Sequence, residues 1–294
     1  MNILVLGANG FVGRRLLTRI TQGLAHNVLA CSQRQDINPQ PGYSFLVLDI
    51  TETAKLTQCL DEFSPNIIIN AAAHSAVDFC QMNTAIADAL NVHAVRAIAE
   101  WCALHGARFI HLSTDFVFDG LKGSAYTEND IPNPINYYGI TKYEAEKIIT
   151  QMLTNYAIIR IEVVYGKPLA GQHSNIVQMV KQHLEQGKPF KVITDQWRTP
   201  TWVEDVVGAI QTLFSDAHSG IYHIAGGERM SIAELAHRVA KYFDLAPDLL
   251  QDVTTMELNE KTPRPTCTPL DCSKAAQTLG YTATPFEESL KEFQ

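Results

Sequence analysis

Residues 2–13, Asn-Ile-Leu-Val-Leu-Gly-Ala-Asn-Gly-Phe-Val-Gly, restrict the fold of this chain more than any other stretch. Ile3 to Leu6 form an unbroken apolar run, the pattern of a parallel strand buried on both faces, and glycines follow at 7, 10 and 13. In this Gly-x-x-Gly-x-x-Gly pattern Gly7 allows a tight turn out of the strand, and Gly10 lets the backbone approach a pyrophosphate. Gly13 lets the next helix lie against the sheet. A helix starting there turns free N–H groups and a partial positive charge toward phosphates. At the first strand-to-helix junction such a loop is expected to bind a dinucleotide, with Asn9, Phe11 and Val12 between the glycines as further cofactor-binding candidates.

The following residues repeat the alternation. A helix is expected over 11–22, strands over 27–31 and 44–49, a helix over 52–63 and a buried strand over 66–70. A long helix carrying Asn91 is expected over 83–105, and a fifth strand over 108–113. Regular alternation predicts an α/β fold, a doubly wound parallel sheet of the Rossmann kind with right-handed crossovers. Beyond a sixth strand at 156–165 the alternation breaks. Residues 1–165, with 199–225 packing back on them, are expected to form the dinucleotide-binding domain, and 166–198 with 226–294 a smaller C-terminal substrate lobe.

Composition narrows the partners. Lys plus Arg number 23 against 31 Asp plus Glu, and the net charge of −8 argues against nucleic acid. At 46% hydrophobic and 18% charged residues, the 294-residue chain reads as a globular enzyme. No apolar run approaches the ~20 residues that span a bilayer, so no membrane partner is expected. The six cysteines contain no Cys-x-x-Cys and read as reduced core thiols; with Met1-Asn2 leading straight into a strand, a cytoplasmic protein is expected. Ten histidines contain no His-x-x-x-His, so no metal is expected. A homodimer is one allowed assembly.

The second strand ends in Ser32-Gln33-Arg34 rather than in the acid that usually takes a ribose diol. NADPH is therefore the expected cofactor, with Arg34 forking onto a 2′-phosphate and Ser32 assisting; Asp36, close by, keeps NADH open. Asp49 and Ile50 end the third strand at the adenine position. Ala71, Ala72 and Ala73 follow the fourth and let the backbone pass close beneath the cofactor.

Ser113-Thr114-Asp115 end the fifth strand at the edge where open α/β sheets bind ligands. Tyr138 and Lys142, four apart, project from one face of a helix that opens near 136. Reducing a ketone leaves an alkoxide that needs a proton, and a positioned phenol can give one. Lowering the Tyr138 pKa from about 10 by roughly three units needs about 4 kcal/mol, for which a nearby Lys142 ammonium is the expected source. Thr114 would hold the carbonyl. Tyr143 and Lys147 repeat the spacing, but five residues rotate them roughly 140° away, so that pair is expected on another face.

Gly7-x-x-Gly10-x-x-Gly13, Asn70-Ala-Ala-Ala-His74, Ser113-Thr-Asp-Phe-Val-Phe-Asp-Gly120, Tyr138-Gly-x-Thr-Lys142 and Arg264-Pro-x-x-x-x-Leu-Asp together resemble the dTDP-4-dehydrorhamnose reductase family, extended short-chain dehydrogenases. The resemblance spans nearly the whole chain. It implies reduction of the 4-keto group of a dTDP-linked deoxyhexose, a nucleotide-sugar substrate, and the catalytic set Thr114, Tyr138 and Lys142. It also implies His74, Thr114, Asn175 and Arg198 as substrate-side residues, Arg198 at the diphosphate. Where those reductases usually carry Arg-Thr-Ser-x-Val-Tyr, this chain has Arg160-Ile-Glu-Val-Val-Tyr165. The chain also resembles the regulatory β subunit of methionine adenosyltransferase, including its Leu270-Asp-Cys-Ser-Lys274 stretch, which implies the alternative of an NADP-binding regulatory subunit.

Overall fold

A computed structural model describes residues 1–22, 26–169, 171–172 and 174–294. The apolar runs form a seven-stranded, wholly parallel sheet. Its strands are β1 (Asn2–Leu6), β2 (Asn27–Ser32), β3 (Ser44–Val47), β4 (Ile67–Asn70), β5 (Arg108–Thr114), β6 (Tyr156–Ile161) and β7 (Gly220–Ile224). Their order is β7-β6-β5-β4-β1-β2-β3. The winding reverses between β1 and β4, which opens a crevice at the carboxyl edge there.

Period-two alternation sends successive side chains of each strand to opposite faces. Ile3, Val5, Ile67, Ile69 and Ile159 pack on one side against α1 (Phe11–Thr21) and, later in the chain, Val206, Val207 and Ile210. Leu4, Leu6, Ile68, Phe109 and Ile158 pack on the other side against α2 (Thr53–Phe63) and the helices that follow β4 and β5. A fully buried Ile or Leu contributes about 1.5–3 kcal/mol, so this double burial outweighs any local preference in these short strands.

The expected single helix over 83–105 is divided. A separate α3 (Val77–Met82) precedes it, then α4 (Thr84–Asp88) runs through a π-helical turn, Ala89–His93, into α5 (Ala94–His105). The widened turn points Asn91 inward, 1% exposed, where its amide accepts from His74 N–H at 2.9 Å and donates to His74 O at 3.0 Å and Thr141 Oγ1 at 3.0 Å. Those bonds hold the loop after β4 to α6 (Tyr137–Met152).

After β6 the chain builds a second core. It uses α7 (Ile176–Glu185), α9 (Ile232–Tyr242) and the parallel pair Phe190–Ile193 with Leu250–Val253. Between them α8 (Val203–Thr212) returns to the main sheet. So does the C-terminal helix Ser273–Leu279: Ala275, Leu279 and Tyr281 join the sheet's core although sequence reasoning assigned that stretch to the lobe. Among the described residues no helix is long and apolar enough to cross a membrane, and no group of His, Cys, Asp and Glu gathers as a metal site. Cys31, Cys59, Cys80 and Cys102 are buried thiols, while Cys267 and Cys272 are half-buried.

Candidate active site

The glycine turn floors a cleft of about 660 Å³. Gly7 has φ of +80°, and its N–H and that of Ala8 donate to Cys31 O at 3.0 Å. A Cβ on Gly7 would stand 2.6 Å from Ala72 N, and one on Gly13 would stand 2.3 Å from Gly7 O, so neither position admits a side chain. Gly10, at the N-cap of α1, has no side-chain cap, and the first turn of α1 carries no acid. Its unfilled N–H groups and positive end fit a diphosphate. The cleft continues along Ser32, Gln33, Asp49, Ile50, Ala71 and Ala73. The donor set and room therefore fit a dinucleotide.

Other candidates have different duties from those expected. The Asn9 amide turns away, donating to Arg34 O at 3.1 Å and Gln35 O at 2.8 Å, so it anchors the loop that carries Arg34. Val12 packs into the core and the Phe11 ring lies beside Gly166, leaving their backbone N–H groups as what they can offer. Asp36 is committed to Arg14 at 2.5 Å and Tyr43 at 2.7 Å. Burial works against its charge, but hydrogen bonds from Tyr43, Asn38 and Arg14 hold its carboxyl below the usual range. Arg34 is exposed. Asp49 accepts from Thr51 and Gln33, and those bonds outweigh burial and hold it low as well. His74, expected at the substrate, lines the same cleft as Asp49 and faces its charge. Burial lowers its pKa.

At the other end, β5 delivers Thr114 and α6 delivers Tyr138. Asn136 caps α6 by accepting from Gly139 N–H at 2.9 Å, and it ties the cap to Pro263 O at 3.1 Å. A Cβ on Gly139 would come within 2.2 Å of Phe116 O; glycine there lets α6 press onto the turn after Thr114. The Phe116 and Tyr138 rings meet edge to face at 6.0 Å. Thr114 Oγ1 donates to Asp115 Oδ1 at 3.1 Å and accepts from Phe116 N–H at 3.2 Å. Burial pushes the Tyr138 phenol above its ordinary value; the Thr114 hydroxyl opposes the rise and the Asp115 charge adds to it.

Lys142 lies one turn on, and its arrangement corrects the expected one. Its Nζ donates to Leu112 O at 2.6 Å and meets His111 Nε2 at 2.9 Å, so its ammonium is bound to β5 rather than to the phenol. Burial brings its pKa down to about 8. Burial and the Lys142 charge hold His111 far below its usual value, hence neutral. His111 meets the Asn70 amide at 3.3 Å, and Asn70 Oδ1 accepts from Ala72 N–H at 3.0 Å. This row runs from Lys142 to the glycine turn and places both ends of the site on one sheet edge.

Arg198 does not face a diphosphate. It is 2% exposed, gives its Nη groups to the carbonyls of Trp197, Pro265 and Thr266, and turns Nε to the buried carboxylates of Asp115 and Glu162. Asn175 caps α7: it accepts from Gln178 N–H at 3.3 Å and donates to Gly166 O at 2.7 Å. Tyr143 and Lys147 stack on each other elsewhere, the lysine 5.1 Å over the ring. Sequence reasoning missed His111, Asp115 and Glu162 as members of the site. Asp115 stood inside a quoted motif, while only the departure at 160–165 pointed to Glu162.

A family model described as the RmlD substrate binding domain matches residues 1–294. The chain is 31% identical over 296 residues to methionine adenosyltransferase 2 subunit beta of Mus musculus, covering 99% of this chain and 86% of that protein. It is 29% identical over 304 residues to dTDP-4-dehydrorhamnose reductase of Aggregatibacter actinomycetemcomitans, covering 99% and 98%. The crystal structure of dTDP-4-dehydrorhamnose reductase from Bacillus anthracis in complex with NADP is similar with a TM-score of 0.84 at 27% identity, over 99% of this chain and 98% of that one.

Proposed function

The chain belongs to the RmlD substrate binding domain family, and from that premise we propose that it is an NADPH-dependent reductase of the 4-keto group of a nucleotide-linked deoxysugar, dTDP-4-dehydrorhamnose first among candidates. The observation that carries this reading is that Gly139 and the Phe116 ring bring Tyr138 up to the turn that follows Thr114, on the sheet edge that also bears the glycine turn. A bound reduced nicotinamide supplies the hydride. Thr114 orients the substrate oxygen, and Tyr138 gives that oxygen its proton. The high phenol pKa keeps Tyr138 protonated until the substrate oxygen becomes the stronger base. Lys142 supplies a buried positive charge at the carboxyl end of β5. With Asp36 held by Arg14 and Tyr43, the exposed Arg34 is the free group for a 2′-phosphate, which favours NADPH over NADH.

The test follows NADPH absorbance with dTDP-4-dehydrorhamnose for the wild type and Tyr138→Phe. The variant is expected to lose about 10²–10⁴-fold in kcat while binding NADPH as before. Unchanged activity in Tyr138→Phe overturns the proton-donor assignment. The similarity to methionine adenosyltransferase 2 subunit beta supports a second reading, a dinucleotide-binding regulatory subunit. Tight NADPH binding by a wild type that turns over no keto sugar would favour it.

A further inference from the structure

Beside Thr114 two carboxylates are buried around one guanidinium. Glu162, directly after β6, is 0% exposed, Asp115 3% and Arg198 2%. Both Nη groups of Arg198 serve main-chain carbonyls, so only Nε faces the acids, 3.6 Å from Asp115 Oδ2 and 3.8 Å from Glu162 Oε1. Glu162 Oε2 accepts from the N–H and hydroxyl of Thr199. The hydroxyl of Thr268 lies between the two acids, 2.6 Å from Asp115 Oδ2 and 3.3 Å from Glu162 Oε1. Val163, next in the chain, is a β-branched residue held at φ of +40°, a strained backbone that fixes where Glu162 points.

Counting hydrogens decides the charge state. Burial raises the Asp115 carboxyl too, but Asp115 accepts from Thr114 as well as Thr268 and lies nearer Arg198 Nε, so it keeps the charge and takes the one hydroxyl proton of Thr268. The Thr268 oxygen can then only accept, so bonding to Glu162 Oε1 requires a proton on Glu162. Two ionised acids would also leave an uncompensated buried negative charge, since one cation faces both. Burial and the Asp115 charge agree with the count, pushing the Glu162 carboxyl up to about 8 against the pull of Arg198. The remaining titratable neighbour is Cys272, kept as a thiol by burial.

We propose that Glu162 holds a proton at neutral pH and returns it to Tyr138 after each turnover through Thr268, Asp115 and Thr114. The proposal rests on the reductase reading. Once Tyr138 has protonated the substrate oxygen, Glu162 passes its proton to Thr268 Oγ1, which gives its own to Asp115 Oδ2. A half-turn of the Asp115 carboxyl presents that proton to Thr114, whose hydroxyl passes one to the phenolate. No bond between heavy atoms changes: carboxylic acid plus phenolate become carboxylate plus phenol, and Glu162 regains a proton from solvent through the Thr199 hydroxyl, which contacts its Oε2 and lines an open cleft. Glu162 touches no substrate in this scheme and is a positioning residue for the proton.

Two measurements on the full chain test it. Infrared spectra of the cofactor-free protein at pH 7 should show a protonated carboxyl band that Glu162→Gln removes and that fades as pH rises through about 8. In turnover, Glu162→Gln keeps a hydrogen-bond donor but has no proton to release, so kcat should fall roughly tenfold or more, with KM little changed and the wild-type alkaline limb lost. Thr268→Val, which removes only the relay hydroxyl, should give a similar fall in kcat while retaining the band. Absence of the band overturns the proposal whatever the activity. A wild type that turns over beside a Glu162→Gln with the same pH profile overturns the relay and leaves the reductase reading intact. A wild type that reduces no keto sugar overturns both.

Discussion

Arg14 takes Asp36 out of use for the cofactor. Its Nη2 holds that carboxylate at 2.5 Å, and its Nη1 reaches Tyr43 Oη at 2.8 Å, so this acid is spent inside the protein. Arg34, two residues earlier, keeps its guanidinium in solvent. Arg34→Ala should weaken NADPH binding by about 10–100-fold, as losing a charge-assisted hydrogen bond of about 1.5–3 kcal/mol implies, and leave NADH affinity nearly unchanged; titrating cofactor fluorescence checks both. Equal losses for the two cofactors would remove Arg34 from the 2′-phosphate. Gly7 and Gly13 were legible at this scale because their duties follow from local backbone geometry. Arg198 was not. Its partners Asp115, Glu162 and Pro265 come from three distant segments, and nothing near residue 198 shows that its donors are already taken. Asn175 misled for a related reason: an Asn before a helix is first an N-cap.

Helix α6 is set by one missing side chain and one cap. Gly139 lets it approach Phe116 O, and Asn136 fixes its start. Gly139→Ala would force a Cβ to 2.2 Å from that carbonyl and move the helix. Overpacking of this kind costs about 1–3 kcal/mol, and shifting Tyr138 from Thr114 should lower kcat by more than it raises KM. Urea denaturation and steady-state kinetics on the same variant separate the two effects. The order of strands and helices was readable from apolar runs and glycines. The π turn at Ala89–His93 was not, since the apolar pattern of a helix barely changes when one turn widens by a residue. The lobe strand Leu250–Val253 was also hidden, because its pairing with Phe190–Ile193 joins distant chain segments.

Across the whole molecule, buried titratable groups set opposing slopes of stability against pH. His223 is held down to about 3 by burial and by Arg160, so it stays neutral in the fold while the unfolded chain takes up a proton below 6.5. Stability therefore falls as pH drops from 6.5 toward 3, by about 5 kcal/mol at 1.36 kcal/mol per unit, and His111 adds to the same arm. Glu162, raised from 4.5 to about 8, keeps a proton that the unfolded chain has lost, so stability falls as pH rises through that window. Between 4.5 and 6.5 Glu162 offsets only one of the two histidine slopes, so stability should keep rising with pH and peak near 6.5. Denaturant titrations from pH 4 to 8 should show this, and Glu162→Gln should remove the decline above 6.5; an unchanged alkaline arm would place the proton elsewhere. The Asn91 amide bears on a different property of the whole molecule. One side chain grips the loop under the dinucleotide cleft and the helix that presents the phenol, so filling the first and aligning the second share a single free energy. Tightening the grip of the cleft on its occupant and sharpening the aim of the acid are, in this protein, one adjustment.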